Sequence, residues 1–233
     1  MSLLRKCVAE AVGTAFLVAA VIGSGIAAQR LSPGQLGLQL LESSLATGAV
    51  LMALVVSLQP VSAAFNPVVT MIERALGQLT TRQTAALIGA QLAGGLAGTA
   101  SANLMFDLPP VTLATHTRHG AGVWLAEVIA TLGLVLIIAG ASHGRSSRHV
   151  GYLVGAYITG AYWFTSSTSF ANPAVTLART LSDTFAGIAP SSAPAFIAMQ
   201  LAGGAVALAV IKILYPPPGI RAPASPSVHK ASP

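Results

Sequence analysis

Six stretches of this chain carry almost no charge, and each is close to the roughly 20 residues that an α-helix needs to cross a bilayer. They cover residues 7–28, 43–64, 83–106, 121–141, 150–168 and 193–215. Charged residues make up 8% of the chain and hydrophobic residues 54%, whereas about a quarter of the residues in a soluble domain are charged. The pattern therefore predicts a membrane protein with six crossings and argues against a water-soluble enzyme.

The composition also indicates which kind of membrane fold to expect. Aromatic residues make up only 6% of the chain and there are 23 glycines, which favours helices packed through small residues over a barrel with aromatic girdles. Two shorter apolar segments, 67–76 and 173–181, reach only about half of a 30 Å hydrocarbon core at about 1.5 Å per residue. We expect these two to enter the membrane as half-helices without crossing it.

The positions of the basic residues predict the orientation. With the N-terminus in the cytoplasm, only Arg30, Arg118 and Arg179 lie outside, as the positive-inside rule requires. The residues expected on the cytoplasmic side are Arg5, Lys6, Arg74, Arg82, Arg145, Arg148, Lys212, Arg221 and Lys230. We therefore expect a multi-pass protein of the inner (plasma) membrane, with both termini cytoplasmic and the lipid bilayer as its partner. No basic patch suggests nucleic acid.

The chain contains an internal repeat. Ala9-Glu10 recurs as Ala126-Glu127, residues 65–70 recur as 171–176, and residues 91–95 recur as 200–204, all in the same order. The repeats cover about 4–106 and 121–216. Because each holds three crossings, an odd number, the second repeat must be inverted in the membrane. Residues 1–216 are thus predicted to form one domain, followed by a disordered cytoplasmic tail at 217–233 that is rich in Pro, Ser and Ala.

Each half-helix begins with an Asn-Pro pair, in Asn66-Pro67-Val68 and in Asn172-Pro173-Ala174. Asn is a favoured N-cap and Pro fits the first helical position, so both helices are predicted to start deep in the membrane. Free amides and positive helix ends are tolerated there only where they line a cavity. We expect both Asn amides to point into that cavity and donate hydrogen bonds to water or hydroxyl compounds, while cations meet two positive helix ends.

These two boxes in inverted three-helix halves resemble the aquaporins of the major intrinsic protein family, over about residues 4–216. The first box departs from the family's Asn-Pro-Ala at Val68. The resemblance implies an all-α membrane fold with six transmembrane helices and two re-entrant half-helices. It also implies a passive channel for small uncharged solutes such as water and glycerol-like polyols, and a homotetramer. We expect no enzyme activity, no cofactor and no metal.

The family's outer constriction, or selectivity filter, normally has an Arg three residues after the second Asn, where this chain has Val175. Local alignment places Thr47, Gly160 and Ser169 at the other filter positions. The resulting ring is expected to be wide and uncharged, so that solutes larger than water pass. Without the Arg, the half-helix dipoles are expected to be the main barrier against cations.

Residues 162–170 combine aromatic side chains with a run of Ser and Thr. The stretch fits an aromatic belt at the membrane interface, or hydroxyls that line the outer vestibule. Such a run, together with the missing filter Arg, resembles the bacterial aquaglyceroporins associated with arsenic resistance. This resemblance implies that arsenous acid and related neutral arsenicals pass as well.

Glu10 and Glu127 are the acidic residues predicted to lie within the spans. Each is either solvated by headgroups near a helix end or a structural acceptor for the backbone amides of the half-helix loops, and the family resemblance implies the second role. The alternative function is a gradient-coupled secondary transporter, since inverted repeats with broken helices also occur in transporters. These two acids would then be the candidates for ion coupling.

Overall fold

The computed structural model describes residues 1–143 and 149–215. This part of the chain is folded into helices and loops, with no strand. The eight helices are α1 (Leu3–Leu31), α2 (Leu36–Leu58), α3 (Pro67–Ala75), α4 (Thr81–Met105), α5 (Ala121–His143), α6 (Val150–Phe164), α7 (Pro173–Arg179) and α8 (Ala193–Leu214). The expected tail at 217–233 lies outside the described residues, as do Arg145 and Arg148.

The helix lengths separate spanning helices from half-helices. Helices α1, α2, α4, α5 and α8 are long and apolar enough to cross a membrane. Helix α6 has only 15 residues, or about 22 Å at 1.5 Å per residue, but it packs along α2 and α5 and takes the sixth position in the bundle. Helices α3 and α7 have 9 and 7 residues. The predicted all-α fold with two half-helices is confirmed.

One helix boundary differs from the prediction in a way that concerns charge. Helix α2 begins at Leu36, so Glu42 lies inside a membrane helix, outside the stretch predicted to span. Its carboxylate accepts a hydrogen bond from the hydroxyl of Ser32 at 2.7 Å. A charge in the first turns of a spanning helix is tolerated because it stays near the helix end and has a polar partner.

The packing of the helices repeats between the two halves. Helix α1 packs against α2 and α4, and α5 packs against α6 and α8 in the same way. Each half-helix also contacts the last helix of the other half, α3 on α8 and α7 on α4. We call the face of the bundle with the start of α1 and the end of α8 the terminal side, and the face with residues 107–120 and 180–192 the loop side.

Glycines allow the two closest helix pairs to approach. A Cβ added at Gly94 in α4 would overlap the carbonyl oxygen of Ala11 in α1 and lie 2.9 Å from its Cα. In the second half, a Cβ at Gly203 in α8 would lie 2.5 Å from the carbonyl oxygen of Val128 in α5. Such small residues at helix crossings are how membrane helices reach close contact.

Candidate functional site

The two half-helices begin at Pro67 and Pro173 and are capped by the preceding Asn. The Oδ1 of Asn66 accepts a hydrogen bond from the N–H of Val68 at 2.9 Å. The Oδ1 of Asn172 accepts one from the N–H of Ala174 at 3.0 Å. The same oxygen also accepts from the N–H of Val175 at 3.3 Å. The caps thus satisfy amides that a helix start leaves without an intrahelical partner.

The side-chain amides of the same two Asn residues tie the halves of the protein together. The Nδ2 of Asn66 donates to the carbonyl oxygen of Ala171 at 2.8 Å, and the Nδ2 of Asn172 donates to the carbonyl oxygen of Phe65 at 2.7 Å. The sequence predicted only donors that face a cavity. An amide NH2 has two donors and both Asn residues line the cavity described below, so each has a second N–H that no hydrogen bond among the described residues uses.

The loops before the two half-helices have unusual backbone conformations, which two buried carboxylates hold. Phe65 and Ala171 have φ values of 47° and 49°, a region that costs an L-residue about 1–2 kcal/mol. Glu10 accepts hydrogen bonds from the N–H of Phe65 at 2.7 Å and of the preceding residue at 2.9 Å. Glu127 accepts from the N–H of Ala171 and of the preceding residue, both at 2.9 Å. The four bonds offset the backbone cost.

A glutamine completes the surroundings of each carboxylate. The Nε2 of Gln91 donates to Glu10 at 2.8 Å and to the hydroxyl of Thr70, on the half-helix itself, at 2.9 Å. Gln200 repeats the arrangement, with its Nε2 2.6 Å from Glu127. Both acids are 0% exposed, so they are placed as acceptors for the loops and not among headgroups.

A cavity of about 430 Å³ runs between the two sides of the bundle along the starts of both half-helices. Its walls combine apolar side chains of α1, α2, α5 and α6 with many polar groups. The polar and aromatic lining residues are Lys6, Thr47, Gln59, Ser62, Phe65, Asn66, Glu73, Gln78, Ser142, Tyr162, Ser169, Phe170, Asn172 and Arg179. Both Asn residues lie near the middle, where the half-helices meet.

The structure brings together three of the four predicted filter residues. Thr47, Ser169 and Val175 line the cavity, but Gly160 does not. Gly160 is exposed on the outside of α6, and a Cβ added there would meet no atom within 4 Å. Because helix positions differ by about 100° per residue, a shift of two residues turns a side chain to the opposite face. The placement of Gly160 in the ring is therefore wrong.

Tyr162, two residues further along α6, lines the cavity where Gly160 does not. Its side chain is 5% exposed and its hydroxyl donates a hydrogen bond to the Oγ1 of Thr47 at 3.2 Å. An aromatic side chain thus joins α6 to α2 across the cavity wall. A tyrosine side chain therefore stands in the cavity wall beside Thr47, where the sequence predicted a residue without a side chain.

The aromatic and hydroxyl stretch at 162–170 divides between the two interpretations. Ser169 and Phe170 face the cavity together with Tyr162. Trp163 and Phe164 are 50% and 60% exposed on the outside of the bundle, as expected for an interface belt. Both interpretations hold for part of the stretch. Trp163 and Phe164 end α6 on the outside of the bundle, and the chain then turns toward the cavity within a few residues.

The sequence does not identify Arg179 as a residue of the cavity, because its charge fits a position outside the membrane. It is 4% exposed and lines the cavity at the end of α7. Its Nε donates to the carbonyl oxygen of Ala186, and its guanidinium carbon lies 3.5 Å from the ring centroid of Phe170. The available signal was its spacing of four residues from Val175, which puts both side chains on one face of a helix.

The loop side of the cavity carries a positive field. In the loop at 107–120, burial lowers the pKa of His116 below its ordinary value, and the charges of Arg118 and Arg179 lower it further against an opposing effect of Asp183. The guanidinium carbon of Arg118 lies 5.1 Å from the ring centroid of Phe170. Two arginines therefore flank one phenylalanine at this end, and the region is not uncharged.

The chain matches the sequence profile described as Major intrinsic protein over residues 1–166. It is 49% identical over 233 residues to the aquaglyceroporin AqpS of Rhizobium meliloti, covering 99% of this chain and 96% of that protein. It is 30% identical over 157 residues to the probable aquaporin NIP4-2 of Arabidopsis thaliana, covering 66% and 53%. The aquaglyceroporin structure from Plasmodium falciparum superposes with a TM-score of 0.71 at 17% identity, covering 92% of this chain and 98% of that one, so the fold is shared.

Proposed function

This chain belongs to the major intrinsic protein family, and from that premise we propose that its channel passes small uncharged solutes beyond water and glycerol, including neutral metalloid acids such as arsenous acid. It is a passive membrane channel and not an enzyme. The observation that carries the proposal is the cavity of about 430 Å³ that passes both Asn66 and Asn172. A cavity whose wall combines apolar side chains with hydroxyl and amide groups suits solutes that carry hydroxyls but no charge.

The middle of the cavity favours neutral hydroxyl compounds for an electrostatic reason. Asn66 and Asn172 each have one amide N–H left for a solute, and both half-helix N-termini direct positive dipole ends at the same place. A hydroxyl oxygen accepts these hydrogen bonds. A cation is repelled and must also leave its hydration shell in a region of low dielectric constant.

Val175 favours solutes larger than water. It lines the cavity where the family has an Arg, and its short apolar side chain leaves room that a guanidinium would fill. Thr47 and Ser169 supply hydroxyls beside it, and the Oγ of Ser169 has no hydrogen-bond partner among the described residues. Glycerol and undissociated arsenous acid each carry three hydroxyl groups, which match such a mixed apolar and hydroxyl wall.

Orientation and assembly follow the same premise. We infer that the terminal side faces the cytoplasm of a cell whose plasma membrane holds the protein, that residues 1–216 form the channel domain, and that four copies assemble as a homotetramer. The basic residues Arg5, Lys6, Arg74, Arg82 and Lys212 support this orientation. Exposed apolar side chains along the helices supply surface for lipid and for neighbouring subunits.

The contacts of the two buried acids weigh against Glu10 and Glu127 as the ion-coupling groups of a transporter. Ion coupling requires an ionisable group that faces the pathway and changes its partner. Glu10 and Glu127 are not among the cavity-lining residues, and their oxygens accept hydrogen bonds from backbone, hydroxyl and glutamine donors. We propose that both have a structural role only.

Proteoliposomes test the proposed function directly. We expect stopped-flow light scattering to show faster volume changes than empty liposomes under gradients of glycerol, urea and arsenous acid, because the cavity admits neutral solutes. The flux should follow the gradient in either direction. Passage of water alone would contradict the proposed solute range. Accumulation of a solute against its gradient, driven by protons or sodium, would contradict a passive channel.

Substitution at position 175 tests what sets the width of the pore. In Val175→Arg, we expect glycerol and arsenous acid flux to fall by about tenfold, a barrier increase of about 1.4 kcal/mol, because a guanidinium fills the space beside Thr47 and Ser169. Water flux should fall less. Val175→Leu is the matched control, since it adds volume without charge. Unchanged glycerol flux in a correctly folded Val175→Arg variant would show that this position does not limit passage.

A further inference from the structure

The position of Arg179 relative to Val175 is the starting observation. The two residues are four positions apart in α7, so they share one face of the helix and are separated by about 6 Å along its axis. Both line the cavity. Since α7 starts at Pro173 and runs toward the loop side, Arg179 lies one turn nearer to the loop-side opening than Val175.

The guanidinium of Arg179 is held in place by two contacts. Its Nε donates to the carbonyl oxygen of Ala186, and its plane lies against Phe170, with 3.5 Å between the guanidinium carbon and the ring centroid. Phe170 is itself packed edge-on against Phe196, with ring centroids 5.2 Å apart. A loop and a braced aromatic ring thus position the charge, as expected for a cation–π contact in a desolvated site.

The remaining donors of Arg179 are left for the cavity. Its two terminal nitrogens have no hydrogen-bond partner among the described residues. They are also not fully enclosed by protein atoms. The nearby carboxylates are occupied elsewhere. Asp183 accepts from the N–H and the hydroxyl of Thr115, each at 2.9 Å, and Glu127 accepts from the loop before α7.

We propose that Arg179 is a specificity-determining residue of this channel, which supplies the fixed positive charge of the pore from one helical turn beyond Val175. The guanidinium repels protons and metal cations, and its terminal N–H groups donate to the hydroxyls of passing neutral solutes. The width of the pore and the exclusion of cations are then set at different positions. Position 175 leaves the pore open, and the charge that repels cations lies one turn further out. This inference rests on the proposed channel function. It makes the charge of Arg179, and not the half-helix dipoles, the main barrier against cations.

The test measures proton flux and neutral-solute flux on the same proteoliposomes. A potassium diffusion potential set by valinomycin drives protons, and an enclosed pH-sensitive dye reports their entry. In Arg179→Met we expect proton flux to rise by about tenfold, which corresponds to about 1.4 kcal/mol of lost barrier, while glycerol still passes. Arg179→Lys, which keeps the charge, should stay closer to the wild type than to Arg179→Met.

Arg30 provides a matched control outside the cavity. It also lies on the loop side over a phenylalanine ring, with 5.2 Å between its guanidinium carbon and the centroid of Phe106, and it donates to the carbonyl oxygen of Phe106. It does not line the cavity. Arg30→Met should therefore leave proton flux unchanged. An equal rise in both Met variants would overturn the proposal, because it would reflect a general leak.

Further outcomes separate this inference from the proposed function. If the wild type passes no neutral solute faster than empty liposomes, the channel function fails. If it passes glycerol, and Arg179→Met passes glycerol with wild-type proton flux, only the role of Arg179 is overturned.

Should Arg179→Met fail to fold, Arg179→Gln decides, because its amide is uncharged and can still donate to the Ala186 carbonyl. The double variant Val175→Arg/Arg179→Met should restore proton exclusion, and a persistent leak there would contradict an electrostatic barrier.

Discussion

Replacing Gly94 by alanine is expected to remove most of the folded protein from the membrane. The added Cβ would overlap the carbonyl oxygen of Ala11 and stand 2.9 Å from its Cα. Both are backbone atoms, so α1 and α4 must separate to make room. Neighbouring Glu10 is bonded to the loop before α3 and to Gln91 of α4, so separation also strains the support of that half-helix. Ordinary overpacking lowers the free energy of unfolding by about 1–3 kcal/mol, and we expect Gly94→Ala to lower it by more.

The control for this prediction lies on the same helix. A Cβ at Gly89 would meet no atom within 4 Å, so Gly89→Ala should keep or slightly raise stability, since alanine favours helix more than glycine by about 1 kcal/mol. Both variants can be compared by membrane yield, and by the temperature at which the detergent-solubilised protein leaves the monodisperse peak in size-exclusion chromatography. Equal yield and equal melting of Gly94→Ala and the wild type would contradict the close contact of α1 and α4.

Replacing Glu127 by glutamine is expected to abolish solute flux and to destabilise the protein strongly. The carboxylate accepts bonds from the N–H of Phe170 and Ala171 and from the Nε2 of Gln200. A glutamine has one acceptor oxygen and turns an NH2 group toward these donors. The variant loses the Phe170 bond if its NH2 replaces Oε1, or the Ala171 and Gln200 bonds if it replaces Oε2. One or two lost bonds to a charged acceptor, at about 1.5–3 kcal/mol each, are a substantial part of a typical stability of about 5–15 kcal/mol.

The loss of flux in this variant has a geometric cause. The loop held by Glu127 leads directly into α7, which carries Asn172, Val175 and Arg179 to the cavity. Without the carboxylate, the left-handed turn at Ala171 loses its support and the whole half-helix shifts. Glycerol flux per folded protein in proteoliposomes, together with thermal melting in detergent, measures both effects.

Two comparisons sharpen the Glu127 prediction. Glu42→Gln removes an intramembrane charge whose recorded partner is the hydroxyl of Ser32, and it should leave flux close to the wild type. Glu10→Gln should behave like Glu127→Gln, because the first half repeats the arrangement. Normal flux and stability in Glu127→Gln would show that the loop does not depend on the carboxylate.

The amino-acid sequence by itself determined the elements of this protein and their order. Charge scarcity and span length are local properties, and they predicted the spanning helices and the half-helices. The Asn-Pro pairs predicted that the half-helices start at Pro67 and Pro173, because capping and the fixed φ of proline act between adjacent residues. The repeat and its odd number of crossings then required two inverted halves, which is the arrangement seen in the packing.

Only the tertiary structure decided which side chains face the pore. Tyr162 and not Gly160 lies in the cavity wall, because the rotation of α6 about its axis is set by packing against α2 and α5. The left-handed turn at Phe65 depends on Glu10, more than fifty positions away. Arg179 appears in the sequence as an outside charge, but the folding of residues 180–192 over α7 buries it in the cavity wall. Each of these features depends on contacts between distant segments, which local sequence patterns do not specify.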